Sequence, residues 1–131
     1  MLTLVVVACN EADRIGRCLD SVPASRKLVL DSGSTDVTVS VARAHGAEVI
    51  ETDWPGFVAQ KNRALALVDT PFALSLDADE WLSHAAAAEV AAVLADPGTA
   101  LATDDAMRIT SLVAFAARNG PFHLAEVSVA G

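Results

Sequence analysis

Basic residues are in short supply along this chain: nine Lys and Arg stand against seventeen Asp and Glu in 131 residues, a formal charge of -8. A nucleic-acid phosphate backbone is gripped by a basic face, which nine scattered cations do not build, so nucleic acid is not expected as the main partner. Cysteine is scarcer still. Cys9 and Cys18 are the only two thiols, one closing an apolar run and one inside an expected helix. Without metal-ligand spacing, they point to a reducing compartment. Long hydrophobic runs are missing as well. Leu2 to Ala8 is too short to cross a bilayer and no Lys or Arg precedes it, so neither signal peptide nor anchor is expected, and the expected location is cytoplasmic. No glycine-rich fingerprint follows that run, which argues against a dinucleotide oxidoreductase.

What the chain has in quantity is apolar surface. Hydrophobic residues make up 53% of it, enough for one core in a length typical of a single domain. Leu2 to Ala8 is nearly continuous and rich in β-branched residues, which predicts a strand buried on both faces. Asn10-Glu11 then opens an expected helix carrying Ile15, Cys18, Leu19 and Val22, stopped by Pro23. Lys27 to Leu30 predicts a second strand. Asp31-Ser32-Gly33-Ser34-Thr35-Asp36 predicts a tight turn whose Ser34 or Thr35 caps a helix bearing Val37, Val41 and Ala44, ended by Gly46. Glu48 to Thr52 predicts a third strand. A helix with Phe57, Ala64, Leu65 and Val68 on one side follows Trp54-Pro55-Gly56, and Phe72 to Leu76 predicts a fourth strand. Four strands separated by three crossover helices predict an α/β fold, a Rossmann-like parallel sheet with helices on both faces. Further helices are expected over His84 to Leu94 and Asp104 to Arg118, and a last strand over Phe122 to Ala130.

Ligands of such sheets gather at the carboxyl ends of the strands. Here those ends carry Cys9-Asn10-Glu11, Asp31-Ser32-Gly33-Ser34, Asp53-Trp54 and Asp77-Ala78-Asp79. The last is the sharpest signal. Asp77, Asp79 and Glu80 crowd directly after an apolar run, where their repulsion is tolerable only if a cation or a donor network offsets it. If the triplet is extended, alternation puts Asp77 and Asp79 on one side with the small Ala78 between them. Hard carboxylate oxygens suit Mg2+ or Mn2+. Other readings stand beside these. Asp31 serves equally as the cap of its own turn, Asn10 and Glu11 as caps of the first helix, Lys61 as a solvated helix residue, and Trp81 as rim packing.

Taken in order, Val5-Val6-Val7-Ala8-Cys9-Asn10-Glu11, Val29-Leu30-Asp31-Ser32-Gly33-Ser34-Thr35-Asp36, Gly56-Phe57-Val58-Ala59-Gln60-Lys61-Asn62 and Leu76-Asp77-Ala78-Asp79-Glu80-Trp81 resemble the family 2 glycosyltransferases. The resemblance is to the bacterial branch of lipopolysaccharide core biosynthesis, over roughly the first two-thirds of the chain. It implies a GT-A fold, with residues 1-97 as the nucleotide-sugar-binding core and 98-131 as a short divergent segment of the same domain. It also implies a nucleotide-diphosphate sugar donor. Ala8, Asn10 and Glu11 would line the nucleotide pocket, Asp31 with Ser32 would meet the base or ribose, and Lys61 and Asp77 would hold the donor. Asp77 and Asp79 would serve Mg2+ or Mn2+.

The implied reaction is inverting, metal-dependent transfer to an envelope glycan or lipopolysaccharide acceptor, in which a carboxylate removes the acceptor proton. The acceptor half that supplies this base in the family is expected to be largely missing. Asp105 is the candidate among the downstream acids. The implied partners are the donor, a glycan or lipid-linked acceptor with peripheral inner-membrane contact through it, and a partner chain or second copy. Two other functions are weighed. One is a truncated, non-catalytic nucleotide-sugar-binding module. The other is a flavodoxin-like signalling domain, which would place an acid pair where this chain has Cys9-Asn10-Glu11.

Overall fold

The computed structural model describes residues 2-70 and 72-95 and the strands at 111-116, 122-127 and 129-130. In chain order the elements are β1 (Leu2–Ala8), α1 (Ile15–Asp20), β2 (Arg26–Asp31), α2 (Thr38–Ala44), β3 (Glu48–Glu51), α3 (Phe57–Ala66), β4 (Phe72–Asp77), β5 (Trp81–Leu82) and α4 (His84–Ala95). Then come β6 (Ser111–Ala116), β7 (Phe122–Val127) and β8 (Val129–Ala130). The first four strands form one parallel sheet in the order β3-β2-β1-β4. The expected parallel α/β architecture is therefore present, with all four strands where the apolar runs lie.

Alternation along β1 divides the core in two. Leu2, Leu4, Val6 and Ala8 join Ile15, Cys18 and Leu19 of α1, Ala42 of α2 and Ala86 and Val90 of α4 on one face. Val5 meets Leu28, Leu30 and Ala64 of α3 on the other. A strand buried on both sides needs apolar residues at successive positions, which is why β1 reads as an unbroken run. Each fully buried Leu or Val contributes about 1.5–3 kcal/mol of transfer free energy. Thr3 is the polar exception inside β1; its hydroxyl lies 2.7 Å from that of Thr70, which donates to the Phe72 carbonyl at 2.7 Å.

The chain steps outward from β1 to β2 and β3, and α3 then carries it back across the opposite face to β4 on the other side of β1. Strand order therefore reverses between β1 and β4. In such sheets that reversal opens a crevice at the carboxyl ends. Among the described residues no helix is long and apolar enough to cross a membrane.

Several local expectations are corrected. Asn10 and Glu11 do not open the first helix. Asn10 takes a left-handed φ of 55, no side chain caps α1, and the Glu11 carbonyl alone starts the turn by accepting from Arg14 and Ile15. Neither Ser34 nor Thr35 caps α2. Asp36 accepts the Thr38 N–H instead, at 2.9 Å. Gly46, with φ 85, ends α2 as expected, in a turn where Ala47 N–H reaches Ala42 O and Gly46 N–H reaches Arg43 O. Val37 and Phe57, assigned to apolar stripes, are 61% and 53% exposed; Thr38, Ala42, Gln60 and Ala64 are the residues that turn inward.

The largest correction concerns the helix expected over 104-118. Ser111–Ala116 is a strand, paired antiparallel with β7 from Ser111 opposite Val127 to Ala116 opposite Phe122. A short apolar run satisfies both periods, and the Asn119-Gly120 pair between two such runs is a hairpin signal in the sequence. The expected strand over Phe122 to Ala130 is present as β7 and β8, the latter paired with β5. Asp105 and the division at residue 97 lie outside the described residues.

Candidate functional site

Register aligns the strand ends. Ala8 is opposite Asp31, Val7 opposite Asp77, and Asp31 opposite Glu51. The polar segments after β1, β2, β3 and β4 thus leave the sheet along one rim. Partners in a parallel ladder share a face, so Asp77 emerges with Val7 on the α3 side and Asp31 with Ala8 on the other. The two acids stand two strands apart, roughly 10 Å at the usual strand spacing.

The β1 and β2 loops are laced together. Asn10 Oδ1 accepts the N–H groups of Thr35 at 2.8 Å and Asp36 at 3.3 Å, while Asn10 N–H donates to Ser34 Oγ at 2.8 Å. Its left-handed backbone aims both groups at the β2 loop, and Asn tolerates that conformation better than most residues. Glu11 N–H donates to Thr38 Oγ1 at 2.9 Å, and its carboxylate pairs with Arg14 at 2.6 Å. Asp31, only 1% exposed, accepts from Gly33 N–H at 3.2 Å, Ser34 N–H at 2.9 Å and Ser34 Oγ. The turn-cap reading of Asp31 describes these contacts. Gly33 at φ 92 makes the turn possible.

Gln60 ties in the third strand. Fully buried on α3, its amide donates to Ser32 Oγ at 3.1 Å and to Thr52 Oγ1, and its own oxygen has no hydrogen-bond partner among the described residues. Gln60 is a residue of the candidate site that the motif contains without marking; a glutamine one residue from a site lysine, on the inward side of a helix, is the signal the sequence carries.

After β4 the acidic triplet is a closed turn rather than an extended segment. Glu80 N–H donates to the Asp77 carbonyl at 3.0 Å, and Glu80 Oε1 accepts the Asp77 N–H at 2.9 Å. The alternation argument that put Asp77 and Asp79 on one side does not apply, because a turn and not a pleat sets their directions. Asp79 is exposed at the tip. Asp77 Oδ1 is shielded from solvent, accepts no hydrogen bond among the described residues, and lies 3.3 Å from Lys61 Nζ on α3. That separation is an ion pair without hydrogen-bond geometry. A solvent-shielded anionic oxygen in this state retains coordinating capacity for a cation.

Beneath the turn, burial pushes the Cys18 thiol up to about 12, with the negative charges of Glu80, Asp77 and Asp79 adding to the effect. A thiol so raised stays protonated and inert. Trp81 packs in β5 with the Arg17 guanidinium 3.9 Å over its ring. A cavity of about 870 Å³ opens beside this pair, lined by Arg17, Asp20, Trp81 and His84 among others. It includes none of Asp31, Lys61, Asp77 or Asp79, so cavity size and the acidic chemistry mark different places; the chemistry is the better guide to a site for a charged ligand.

Of the residues singled out from sequence, the fold brings Ala8, Asn10, Glu11, Asp31 and Ser32 into one hydrogen-bonded loop pair and Lys61 to Asp77. It does not bring Asp31 to Asp77. Among the described residues no three His, Cys, Asp or Glu gather as a metal cluster. Two carboxylates in one turn, one with a shielded oxygen ion-paired to Lys61, nonetheless fit a hard divalent cation that shares Asp77 with that ammonium and takes its other positions from a bound ligand and water.

The model of glycosyl transferase family 2 matches residues 3–124. An uncharacterized glycosyltransferase of Rickettsia felis is 42% identical over 84 residues, 63% of this chain and 30% of that protein. Glucosyl-3-phosphoglycerate synthase from Mycobacterium tuberculosis, solved with Mn2+, uridine diphosphate and glucosyl-3-phosphoglycerate, is 30% identical. That alignment covers 61% of this chain and 34% of the enzyme, with a TM-score of 0.55. S. aureus TarS 1-349 shares the fold at a TM-score of 0.62 and 21% identity, over 72% of this chain and 32% of that one. The chain thus spans about a third of the length of the proteins it matches.

Proposed function

This chain belongs to glycosyl transferase family 2, and from that premise we propose that it binds a nucleotide-diphosphate sugar along the strand-end rim and takes part in inverting transfer of the sugar to an envelope glycan or lipopolysaccharide acceptor. The observation that carries the reading is the Asp77 carboxylate, whose Oδ1 is shielded, accepts no hydrogen bond among the described residues and is ion-paired to Lys61 at 3.3 Å. Asp77 and Asp79 would hold Mg2+ or Mn2+. When bound, such a cation offsets the charge that builds on the departing diphosphate oxygens. A similar enzyme, at 30% identity, has been solved with Mn2+ and uridine diphosphate, which supports that donor class.

The chain's own residues have separable tasks. Asn10, Ser34 and Thr38 hold the two loops in one arrangement before ligand arrives, so little ordering entropy is lost on binding. Ala8, Asn10, Glu11 and Ser32 line the nucleotide side. Asp31 shapes its turn first, and a bond from it to the base or ribose uses the acceptor capacity left beyond Gly33 and Ser34. Lys61 directs positive charge at the diphosphate. The reaction takes place in the cytoplasm, at the membrane face when the acceptor is lipid-linked.

The test is release of nucleoside diphosphate from a panel of uridine- and other nucleotide-linked sugars, with and without Mn2+. Metal-dependent release that disappears in Asp79→Ala supports the reading. Tight donor binding with no turnover across a panel of acceptors would instead make the chain a binding module.

A further inference from the structure

Ser21, the residue that closes α1, bridges that helix to the far side of the acidic turn. Its hydroxyl donates to the Cys18 carbonyl at 2.8 Å and accepts the Leu82 N–H at 3.0 Å. One turn earlier the Cys18 thiol donates to the Asp77 carbonyl at 3.5 Å, and Arg17 covers the Trp81 ring at 3.9 Å. Three side chains of one short helix segment thus hold the chain at 77, 81 and 82, on both sides of the exposed Asp79. The thiol contact is weak and the cation–π contact lies toward the surface. The Ser21 bridge is the well-directed bond of the three, and it joins main chain to main chain.

Two carboxylates of like charge in one turn repel each other, so restraint on the return path adds to the two Glu80–Asp77 bonds that close the turn from within. Restraint supplied by a neighbouring element before the cation arrives removes that cost from binding. We infer that Ser21 is a positioning residue, which fixes the return path of the turn Asp77 to Glu80 and so presents Asp79 beside Asp77 to a divalent cation. This rests on the reading of the turn as a cation site. A role in stability alone would lower the melting temperature and leave cation affinity untouched.

The test uses the full chain with Ser21→Ala and Ser21→Thr, read by electron paramagnetic resonance titration of free Mn2+ and by amide hydrogen exchange. Ser21→Ala is expected to raise the Mn2+ dissociation constant about 10-fold, the low end of the scale for outer-shell groups although Ser21 acts through the main chain at Leu82 and not on a carboxylate. Exchange over 77-82 is expected to quicken while exchange over 31-36 stays as it was, and Ser21→Thr, which keeps a hydroxyl, is expected to restore both. Should Ser21→Ala not fold, Ser21→Cys weakens the same two bonds at nearly constant size and gives the same comparison. Wild-type Mn2+ affinity in the variant, whatever its melting temperature, overturns the inference. If the wild type itself binds no Mn2+, the cation reading falls, and unchanged exchange over 77-82 then removes the bridge from Ser21 as well.

Discussion

Lys61 on α3 holds its ammonium 3.3 Å from Asp77 Oδ1 at the end of β4, joining the helix that returns across the sheet to the strand it returns to. Both side chains are more than a third exposed or close to it, at 35% and 42%, so the pair adds at most about 1 kcal/mol to folding. On the proposed function its value lies in binding. Lys61→Met is expected to leave the urea midpoint nearly unchanged. Uridine diphosphate affinity is expected to fall by about 10- to 100-fold, the scale of a lost bond to a charged group. Calorimetry and urea unfolding on the same variant check both halves.

Gly16 and His45 supply a prediction about packing. A Cβ on Gly16 would lie 2.7 Å from His45 Nε2, while His45 Nδ1 is 2.9 Å from the Asp20 carboxylate. The ring must move aside, at the cost of its exposed pairing with Asp20, so Gly16→Ala is expected to destabilise the wild type by no more than about 1 kcal/mol. In a His45→Ala background the clash is gone, and the same change is expected to stabilise by about 0.5–1 kcal/mol, the helical advantage of Ala over Gly. Thermal unfolding of the four-member cycle shows whether the sign reverses.

Asp36 supplies a pH dependence. The Thr38 hydroxyl, then the N–H groups of Thr38 and Ala12, hold its carboxyl below the ordinary value of 3.8. A carboxylate lowered by folding contributes stability above its ordinary value and loses it as pH falls through the lowered one. Asp36→Asn is expected to be less stable than the wild type at pH 7. The gap is expected to hold constant down to about pH 5 and close below about pH 4. Urea midpoints across that range are the measurement.

Much of this architecture was legible because burial on two faces writes itself into β1, β2 and β4 as apolar runs, and because Gly46 marks the end of α2. The rim was legible for the same reason: polar chemistry begins where those runs stop. What escaped was set by long-range contact. Asn10 looks like a helix cap in sequence, but its partners lie 25 residues away, at Thr35, and in Asp36. Asp77-Ala78-Asp79 looks like an extended triplet, but Glu80 folds back onto Asp77 and makes it a turn. Ser111–Ala116 carries an apolar stripe that fits a helix, and strand pairing with Phe122–Val127 decides otherwise. Ser21 and Cys18 act through hydrogen bonds to the distant main chain at Leu82 and Asp77, which no spacing along the chain reveals.

On the proposed function, Asp77 and Asp79 share a divalent cation whose remaining positions are taken by a diphosphate. Calorimetric titration of uridine diphosphate into the full chain, with Mn2+ and then with excess chelator, tests it most directly. The account predicts binding that strengthens with Mn2+ in the wild type, with the Mn2+-dependent part abolished in Asp79→Asn and in Asp77→Asn. Equal affinity with and without the metal, or Mn2+ dependence that survives both substitutions, would contradict it.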